Sequence, residues 1–210
     1  MNKFLVIYNL LYKNFGRQYW WPASTPFEVV VGAILTQNTS WKNVEQAIGN
    51  LKRHALLSPQ KLNQQSLKRI AVLIRPAGYF NVKAKRLKNF IDFLFQKYQG
   101  NLDDLFKRPT MQLRTELLGI NGIGPETADS IILYAAHKPI FVVDAYTKRI
   151  FKRHNLLNGY DNYEDVQGLF MNNLKPNTKK YNEYHALIVK LGKDYCRKKP
   201  RCEVCPLAKT

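Results

Sequence analysis

Two glycines separated by one residue carry the first indication of chemistry in this sequence. Gly122 and Gly124 lie in the segment LLGINGIGPETADS, directly before Pro125 and a stretch with helical periodicity. Proline suits the first turn of a helix, because the N–H that it lacks would have no intrahelical acceptor there. Backbone N–H groups that converge at such a turn can bind a phosphate, and the helix N-terminus adds positive potential. A plain turn between two helices also explains a lone G-x-G pattern, so both interpretations stay open.

Asp144 lies twenty residues after Gly124, between the apolar run IFVVD and the helical pattern AYTKRIFKR. Aspartate is among the preferred N-cap residues of helices, and that role alone would explain its position. A helix N-terminus also lowers the pKa of a carboxyl group and favours its ionised form. The segment therefore predicts an ionised carboxylate at the start of a helix.

All three tryptophans lie in the segment QYWWPASTPFEVVVGAILTQNTSW, as Trp20, Trp21 and Trp41. Tryptophan is usually buried, so packing in a core is one interpretation. Clustered aromatic side chains also line ligand pockets, and the sequence does not separate these two roles.

Cys196, Cys202 and Cys205 are the three cysteines of the chain, and all lie within its last fifteen residues. An odd and clustered set is a poor disulfide framework and is more typical of a metal or iron–sulfur site. The spacing therefore favours metal ligands over disulfide bridges.

Helical periodicity dominates the elements that must position these residues. Segments 26–37, 44–57, 66–74, 81–98 and 111–120 carry helical patterns, and short polar or Pro/Gly breaks separate them. The run at 140–144 is the one β-like stretch, and it is too short to build a sheet. Successive helices joined by short loops predict an all-α fold.

The N-terminal segment MNKFLVIYNLLYKNF repeats apolar residues at helical spacing and is not followed by the cleavage site of a signal peptide. We therefore predict an amphipathic helix in this segment. Nowhere does the sequence reach the run of about 20 apolar residues that a bilayer crossing needs, so we expect a soluble cytoplasmic protein.

The chain is strongly basic, with 33 Lys and Arg against 15 Asp and Glu and a formal net charge of +18. Such a charge fits a polyanionic partner such as DNA, RNA or an anionic membrane surface. A DNA-facing surface explains the basic clusters better than solvated helix faces do. The clusters comprise Lys83, Lys85, Arg86 and Lys88, then Lys148, Arg149, Lys152 and Arg153, and the segment 197–201.

Four separated motifs resemble the helix-hairpin-helix (HhH-GPD) DNA glycosylase superfamily, in its endonuclease III-related group. Residues 118–128 resemble the hairpin, VVDAYTKRI resembles the element that carries the family's aspartate, and YHALIVKLGKDYC resembles the helix before its cysteine loop. WWP followed by FEVVVGAILTQNTSW is similar to the 3-methyladenine DNA glycosylase III branch.

The resemblance covers about residues 20–205 and implies an all-α fold of two lobes. Residues 24–136 would form a helical barrel that includes the helix-hairpin-helix at about 112–136. Residues 1–23 and 137–210 would form the second helical domain, with Asp144 in the cleft between the lobes.

The resemblance implies that Asp144 is the catalytic residue. Hydrolysis of an N-glycosidic bond builds positive charge on the deoxyribose, and a buried carboxylate stabilises that charge and orients or deprotonates the attacking water. Bifunctional members carry a lysine at the second position after the glycine turn, where it forms a Schiff base with the sugar. Glu126 stands at that position, so we expect a monofunctional enzyme without AP-lyase activity.

The resemblance also assigns the residues that contact DNA. An alkylated purine carries positive charge that attracts an aromatic face, and its weakened glycosidic bond needs little protonation of the leaving base. An extruded base must be held in a pocket while the gap in the duplex is filled. The implied base pocket, DNA wedge and phosphate-binding turn comprise Trp20, Trp21 and Trp41, then Gln37, Arg75 and Pro76, and finally Gly122, Gly124 and Thr127.

The cysteine segment is similar to the family's C-terminal loop of four cysteines, which implies a 4Fe-4S cluster on Cys196, Cys202 and Cys205. The fourth cysteine of that pattern would fall at position 211, one past the end of this sequence. A shortened chain, loss of the cluster and recruitment of another ligand all stay open, as does zinc. The role of a cluster would be to order the basic loop 197–201 against DNA.

We therefore expect a monofunctional DNA glycosylase of base excision repair that flips out alkylated purines of the 3-methyladenine type and hydrolyses their glycosidic bond. Its partner would be double-stranded DNA with a damaged base, bound by a monomer at the nucleoid and not by a membrane-associated protein. An endonuclease III-like glycosylase for oxidised pyrimidines or mismatched bases is the sibling alternative. A non-catalytic damage-binding DNA module is the alternative from another class.

Overall fold

The computed structural model describes residues 2–160 and 162–208. Within these ranges the chain forms α-helices, two short 3-10 turns and one π-helical turn, with no β-strand, which confirms the all-α prediction. None of the helices in these ranges has the length and apolar character that a membrane crossing requires. The α-helices are α1 (Lys3–Phe15), α2 (Pro26–Leu35), α3 (Trp41–Arg53), α4 (Pro59–Asn63), α5 (Leu67–Leu73), α6 (Phe80–Tyr98), α7 (Leu102–Phe106), α8 (Thr110–Leu118), α9 (Pro125–Ser130), α10 (Ala145–Arg153), α11 (Tyr163–Asn173) and α12 (Thr178–Asp194).

The chain divides into two compact units. Ala23–His137 forms one of them, which we call the hairpin unit because it contains α8 and α9. The other combines the segment that ends at Pro22 with the segment that begins at Lys138, and we call it the aspartate unit because it contains Asp144.

The hairpin unit is built around α2, in which every residue from Phe27 to Leu35 is buried. A helix that is buried on all sides is stable only when other elements surround it. The helices α3, α6 and α9 and the π-helical turn Ile131–Ala135 pack against α2. The N-cap residue Thr25 begins α2, since its hydroxyl accepts a hydrogen bond from the Glu28 N–H at 3.1 Å.

The aspartate unit has an aromatic core to which α1, α10, α11 and α12 contribute. The rings of Phe141 and Phe170 stack at a centroid distance of 4.0 Å, and the Tyr184 hydroxyl donates to the Phe4 carbonyl at 2.8 Å. The predicted amphipathic helix near the N-terminus is confirmed as α1, which packs against α12. The β-like run at 140–144 is a buried loop in this core and forms no strand.

Candidate active site

Asp144 is the N-cap residue of α10, and only 9% of its surface is exposed. Its Oδ1 atom accepts hydrogen bonds from the Thr147 N–H at 2.7 Å and from the Thr147 hydroxyl at 2.8 Å. The buried residues before it leave the carboxylate at the boundary between the core of the unit and the first turn of the helix. The predicted capping role is therefore confirmed.

The second oxygen of this carboxylate faces a histidine. The Nε2 atom of His185 lies 3.6 Å from Oδ2 of Asp144, and His185 is 6% exposed on α12, which packs against α10. Burial raises the pKa of Asp144, but His185 and the two hydrogen bonds from Thr147 outweigh it, so the pKa lies below its ordinary value. The carboxylate is therefore ionised at neutral pH.

Sequence reasoning missed His185. A single histidine in the apolar run YHALIV has no spacing relative to Asp144 that would indicate contact, because two separate helices bring the side chains together. Only the packing of α10 on α12 reveals the pair.

Gly122 and Gly124 have different structural roles in the turn between α8 and α9. Gly122 has a φ of +95°, and a Cβ atom built on it would collide with the side chain of Arg86. Gly124 is the exposed N-cap of α9, and no atom lies within 4 Å of a Cβ built on it. The chain thus requires glycine at 122 for its fold, whereas Gly124 leaves open space before the helix. Pro125 occupies the first helical turn, as predicted.

A buried ion pair fixes the hairpin. Arg114 on α8 donates from Nε to Oδ1 of Asp129 at 2.8 Å and from Nη2 to Oδ2 at 3.3 Å. The side chain of Asp129 on α9 is completely buried and that of Arg114 nearly so. A bidentate pair of this kind sets the orientation of α9 relative to α8.

The half-buried side chain of Gln37 bonds within the hairpin unit. Its Nε2 atom donates to the Gly122 carbonyl at 3.0 Å and to the Thr127 hydroxyl at 2.9 Å, and its Oε1 atom accepts from Arg86. Insertion of Gln37 into DNA would require it to leave these partners. The side chain of Thr127 is buried, so its predicted phosphate contact is confined to its backbone N–H in the first turn of α9. Both roles stay predictions.

The predicted wedge residues Arg75 and Pro76 lie in the 3-10 turn Arg75–Ala77. Arg75 is exposed, and its guanidinium lies 5.9 Å from the centre of the Phe80 ring. Tyr79 follows the turn and is 74% exposed. The turn therefore presents a cation and an aromatic ring to solvent.

Lys83 holds this turn from inside the unit. It is 1% exposed, and its Nζ atom donates to the carbonyls of Leu35 at 2.9 Å and Ala77 at 2.8 Å. Burial, aided by the charge of Arg86, lowers the pKa of Lys83 to about 8. The expectation that Lys83 belongs to a basic surface is wrong, because it lies on the same buried face of α6 as Ala84 and Leu87.

The three tryptophans are all half-buried, and they are divided between the two units. In the aspartate unit, the rings of Trp20 and Trp21 meet edge to face at 5.7 Å, and the Lys193 ammonium lies 5.8 Å from the Trp20 ring centre. In the hairpin unit, Trp41 begins α3 and donates its indole N–H to Glu45 at 2.7 Å. The partial exposure of the rings leaves surface for a ligand.

Glu126 is the second residue of α9, and its side chain is exposed. The position at which a lyase of the resembling family carries its lysine is thus accessible on this helix. A carboxylate there supplies negative charge and no amine.

Cys196, Cys202 and Cys205 line one cavity of about 250 Å³ in the aspartate unit, together with Arg153 and His154. Arg153 donates to the Sγ atom of Cys196 at 3.2 Å, and burial raises the pKa of the Cys205 thiol. Among the described residues, no group of three or more His, Cys, Asp or Glu side chains is arranged to hold a metal ion. The structure therefore brings the three thiols to one cavity, and an iron–sulfur cluster there stays a prediction.

The sequence is similar to those of known DNA repair proteins. Residues 31–176 match the family described as "HhH-GPD superfamily base excision DNA repair protein". The chain is 52% identical to the "Putative DNA repair glycosylase" of Methanocaldococcus jannaschii, over 98% of this chain and 96% of that protein. It is 26% identical to Endonuclease III of Sulfolobus acidocaldarius, over 85% of this chain and 78% of that protein. It is 27% identical to a thymine/uracil-DNA glycosylase of Pyrobaculum aerophilum, over 94% of this chain and 85% of that protein.

Solved structures show the same fold. The H. pylori 3-methyladenine DNA glycosylase bound to 1,N6-ethenoadenine superposes with a TM-score of 0.77 at 27% identity, covering 92% of this chain and 98% of that one. A non-covalent Endonuclease III–DNA complex superposes with a TM-score of 0.82 at 22% identity, covering 99% of this chain and 94% of that one. The second likeness concerns the fold alone.

Proposed function

The chain belongs to the HhH-GPD superfamily of base excision DNA repair proteins and is a DNA glycosylase, and we propose that it is a monofunctional enzyme for alkylated purines of the 3-methyladenine type. The observation that carries this proposal is the buried and ionised carboxylate of Asp144 at the N-terminus of α10. In the proposed reaction, water attacks C1′ of the deoxyribose, the C1′–N bond breaks, and its electron pair leaves with the base. The proton that the water loses passes to Asp144 or to solvent.

Asp144 provides the negative charge that this reaction needs. Positive charge develops on the sugar as the base departs, and a fixed carboxylate in a buried site stabilises it without reorganisation. A carboxylate oxygen accepts about two hydrogen bonds, and Thr147 supplies two to Oδ1. Oδ2 therefore keeps capacity for the attacking water beside His185, with Asp144 as a positioning or accepting group.

The half-buried ring of Trp41 supports a cationic purine as the substrate. The carboxylate of Glu45 accepts the indole N–H of Trp41 and adds negative potential beside that ring, which favours a positively charged base over its face. The 27% identity to a 3-methyladenine DNA glycosylase across most of both chains supports the same lesion class.

Glu126 supports hydrolysis without strand cleavage. An AP-lyase step through a Schiff base needs an unprotonated amine that attacks C1′, and the carboxylate of Glu126 cannot form that bond. The test is borohydride reduction during turnover, which traps an imine covalently. We expect no trapped enzyme–DNA adduct and an intact strand until alkali cleaves the abasic site. A trapped adduct would contradict the monofunctional proposal.

Phosphate binding is proposed for the N-terminal turn of α9. Gly124 is exposed with open space before it, and the N–H groups of a first helical turn point toward an anion placed there. Gln37 donates to the carbonyl of the preceding Gly122, and the side chain of Arg86 packs against Gly122 and donates to Gln37. The turn is therefore shaped before any DNA is bound.

The three cysteines are proposed to hold an iron–sulfur cluster. Their shared cavity and the hydrogen bond from Arg153 to Cys196 support this proposal, and such a cluster, when bound, would supply structural order and not a reaction step. Arg153 also donates to the carbonyls of Arg197 and Lys198, so order at the cavity is transmitted to the basic loop. Absorbance near 400 nm with matching iron and sulfide content would support the cluster, and metal-free protein with unchanged DNA binding would contradict it.

Base release from defined duplexes tests the proposed substrate. We expect free 3-methyladenine from methylated duplex DNA, with little release from duplexes that carry uracil, thymine glycol or mispaired adenine. Excision of uracil or mispaired thymine is the second candidate, which the 27% identity to a thymine/uracil-DNA glycosylase favours. Release of uracil or thymine without release of 3-methyladenine would contradict the alkylated-purine proposal and support the second candidate.

A further inference from the structure

The carboxylate of Asp144 is held by two different helices. Thr147 on α10 binds only Oδ1, at 2.7 Å and 2.8 Å. Oδ2 is turned toward α12, where the Nε2 atom of His185 lies at 3.6 Å. Rotation of the carboxylate about its own axis would break the contacts at both oxygens, so the two helices together fix its plane.

His185 is an unusual residue for its place in the fold. It lies within a run of buried residues on α12, from Tyr184 to Val189, and its other members are apolar or aromatic. A buried polar ring costs free energy unless polar partners compensate for the loss of water. A side chain that served packing alone would more commonly be apolar at such a position.

We propose that His185 is a positioning residue for Asp144, which fixes the direction of Oδ2 and presents its Nε2 atom to the carboxylate. The inference rests on the proposed catalytic role of Asp144 and extends it to a second side chain. His185 is not placed on the substrate. It acts through the orientation and the charge state of the aspartate.

The electrostatics give this role a measurable sign. The groups that act on the Asp144 carboxylate are His185 from α12 and Thr147 from α10, while burial opposes both. The ring of His185 lies beside Oδ2 and is the largest influence that lowers the pKa of Asp144. Removal of His185 leaves burial opposed by Thr147 alone, and the pKa of Asp144 must then rise.

The variant His185→Gln tests the proposal, because glutamine keeps an N–H donor and removes the ionisable ring. We would measure single-turnover base release as a function of pH, on the duplex from which the wild-type protein releases its base. The acid limb of the rate should move to higher pH by about one unit, because His185 no longer lowers the pKa of Asp144. The rate should fall about tenfold at the acidic end and recover partly toward neutral pH.

Tyr184→Phe is the matched control on the same helix. It removes the hydroxyl that donates to the Phe4 carbonyl of α1, and Tyr184 is not among the groups that shift the pKa of Asp144, so it weakens the packing of α12 on α1. We expect a lower melting temperature and an unshifted acid limb in this variant. If His185→Gln lowers the rate by the same factor at every pH, as a packing defect would, the positioning role is refuted.

Direct titration of Asp144 keeps the test independent of activity. The carboxyl ¹³C shift of Asp144 would be followed with pH in the wild-type protein and in His185→Asn, a smaller variant that serves if His185→Gln does not fold. A higher titration midpoint in the variant supports the inference, and equal midpoints overturn it. Full base release by Asp144→Asn would instead refute the proposed function, whatever the two midpoints show.

Discussion

At the residue scale, one carboxylate caps a helix and faces a histidine at the same time. Oδ1 of Asp144 accepts hydrogen bonds from the N–H and the hydroxyl of Thr147 in the first turn of α10, and Oδ2 lies opposite His185. The context IFVVD-AYTKRI was sufficient to predict the cap, because preference for aspartate at an N-cap is a local property. Contact with His185 depends on how α10 packs against α12, and no local pattern in the sequence encodes that distance.

The pH dependence of stability tests the state of this carboxylate. Because the pKa of Asp144 is lowered in the folded protein, its stabilising contribution is complete above the ordinary aspartate pKa of about 3.9 and is lost as the pH falls through the lowered value. Asp144→Asn keeps a capping side chain and should cost about 1 kcal/mol at pH 7. Thermal melts at neutral and acidic pH should show that the difference in melting temperature between Asp144→Asn and the wild type becomes smaller as the pH falls. A neutral-pH melting temperature for Asp144→Asn equal to the wild type would contradict the account.

At the element scale, the hairpin is set by contacts that its glycine motif does not reveal. The pattern G-I-G-P predicted the turn and the start of α9 at Pro125, since both depend on backbone preferences. The Arg114–Asp129 pair and the bonds of Gln37 to Gly122 were not predictable, because they join residues distant in sequence. For the same reason the basic cluster around Lys83 indicates a surface position, whereas its burial depends on the distant carbonyl of Leu35.

Substitution of the two glycines should separate folding from DNA binding. Gly122→Ala should lower stability by more than about 1 kcal/mol, because its positive φ and the side chain of Arg86 both exclude a Cβ atom. Gly124→Ala should leave the melting temperature unchanged and weaken duplex binding, since the new methyl group occupies the space proposed for a phosphate. Fluorescence anisotropy at several salt concentrations measures the affinity. Undiminished affinity of Gly124→Ala would exclude the proposed phosphate site.

The buried ion pair should be among the most sensitive points of the hairpin. Asp129→Asn removes the carboxylate charge that the buried guanidinium of Arg114 contacts and should cost about 3 kcal/mol in the free energy of unfolding. Urea unfolding would measure this loss. Asp103→Asn on the exposed first turn of α7 is the matched control and should lie within about 0.5 kcal/mol of the wild type. Equal midpoints for both variants would show that the pair does not hold α8 to α9.

At the scale of the whole molecule, charge and composition predicted the class of partner, and the spacing of helices predicted the fold. A net charge of +18 on an all-α chain pointed to a polyanion, and membership of a DNA repair family makes that polyanion DNA. Charge counts could not show which cations reach DNA. Arg149 and Arg153 donate to backbone groups of the cysteine segment, and that function is invisible in a count of basic residues.

The salt dependence of duplex binding tests the electrostatic part of the account. Each phosphate neutralised by Lys or Arg releases counterions, so the logarithm of the binding constant should fall linearly with the logarithm of the salt concentration. We expect a loss of at least about 100-fold in affinity between 50 and 200 mM salt, measured by anisotropy on an undamaged duplex. Lys85 lies at an exposed position of α6, where we expect it to contact a phosphate. Lys85→Gln should therefore reduce the slope of this salt dependence by about one. A flat dependence would contradict a basic DNA-binding surface.

Single-turnover base release by Asp144→Asn, compared with the wild-type protein on methylated duplex DNA, tests the central claim most directly. Asparagine keeps the cap of α10 and removes the negative charge, so binding to the duplex should be retained. The account predicts that wild-type protein releases 3-methyladenine and that the variant releases it at least about 100-fold more slowly at equal occupancy. Release at the wild-type rate by Asp144→Asn would contradict the assignment of Asp144 as the catalytic carboxylate.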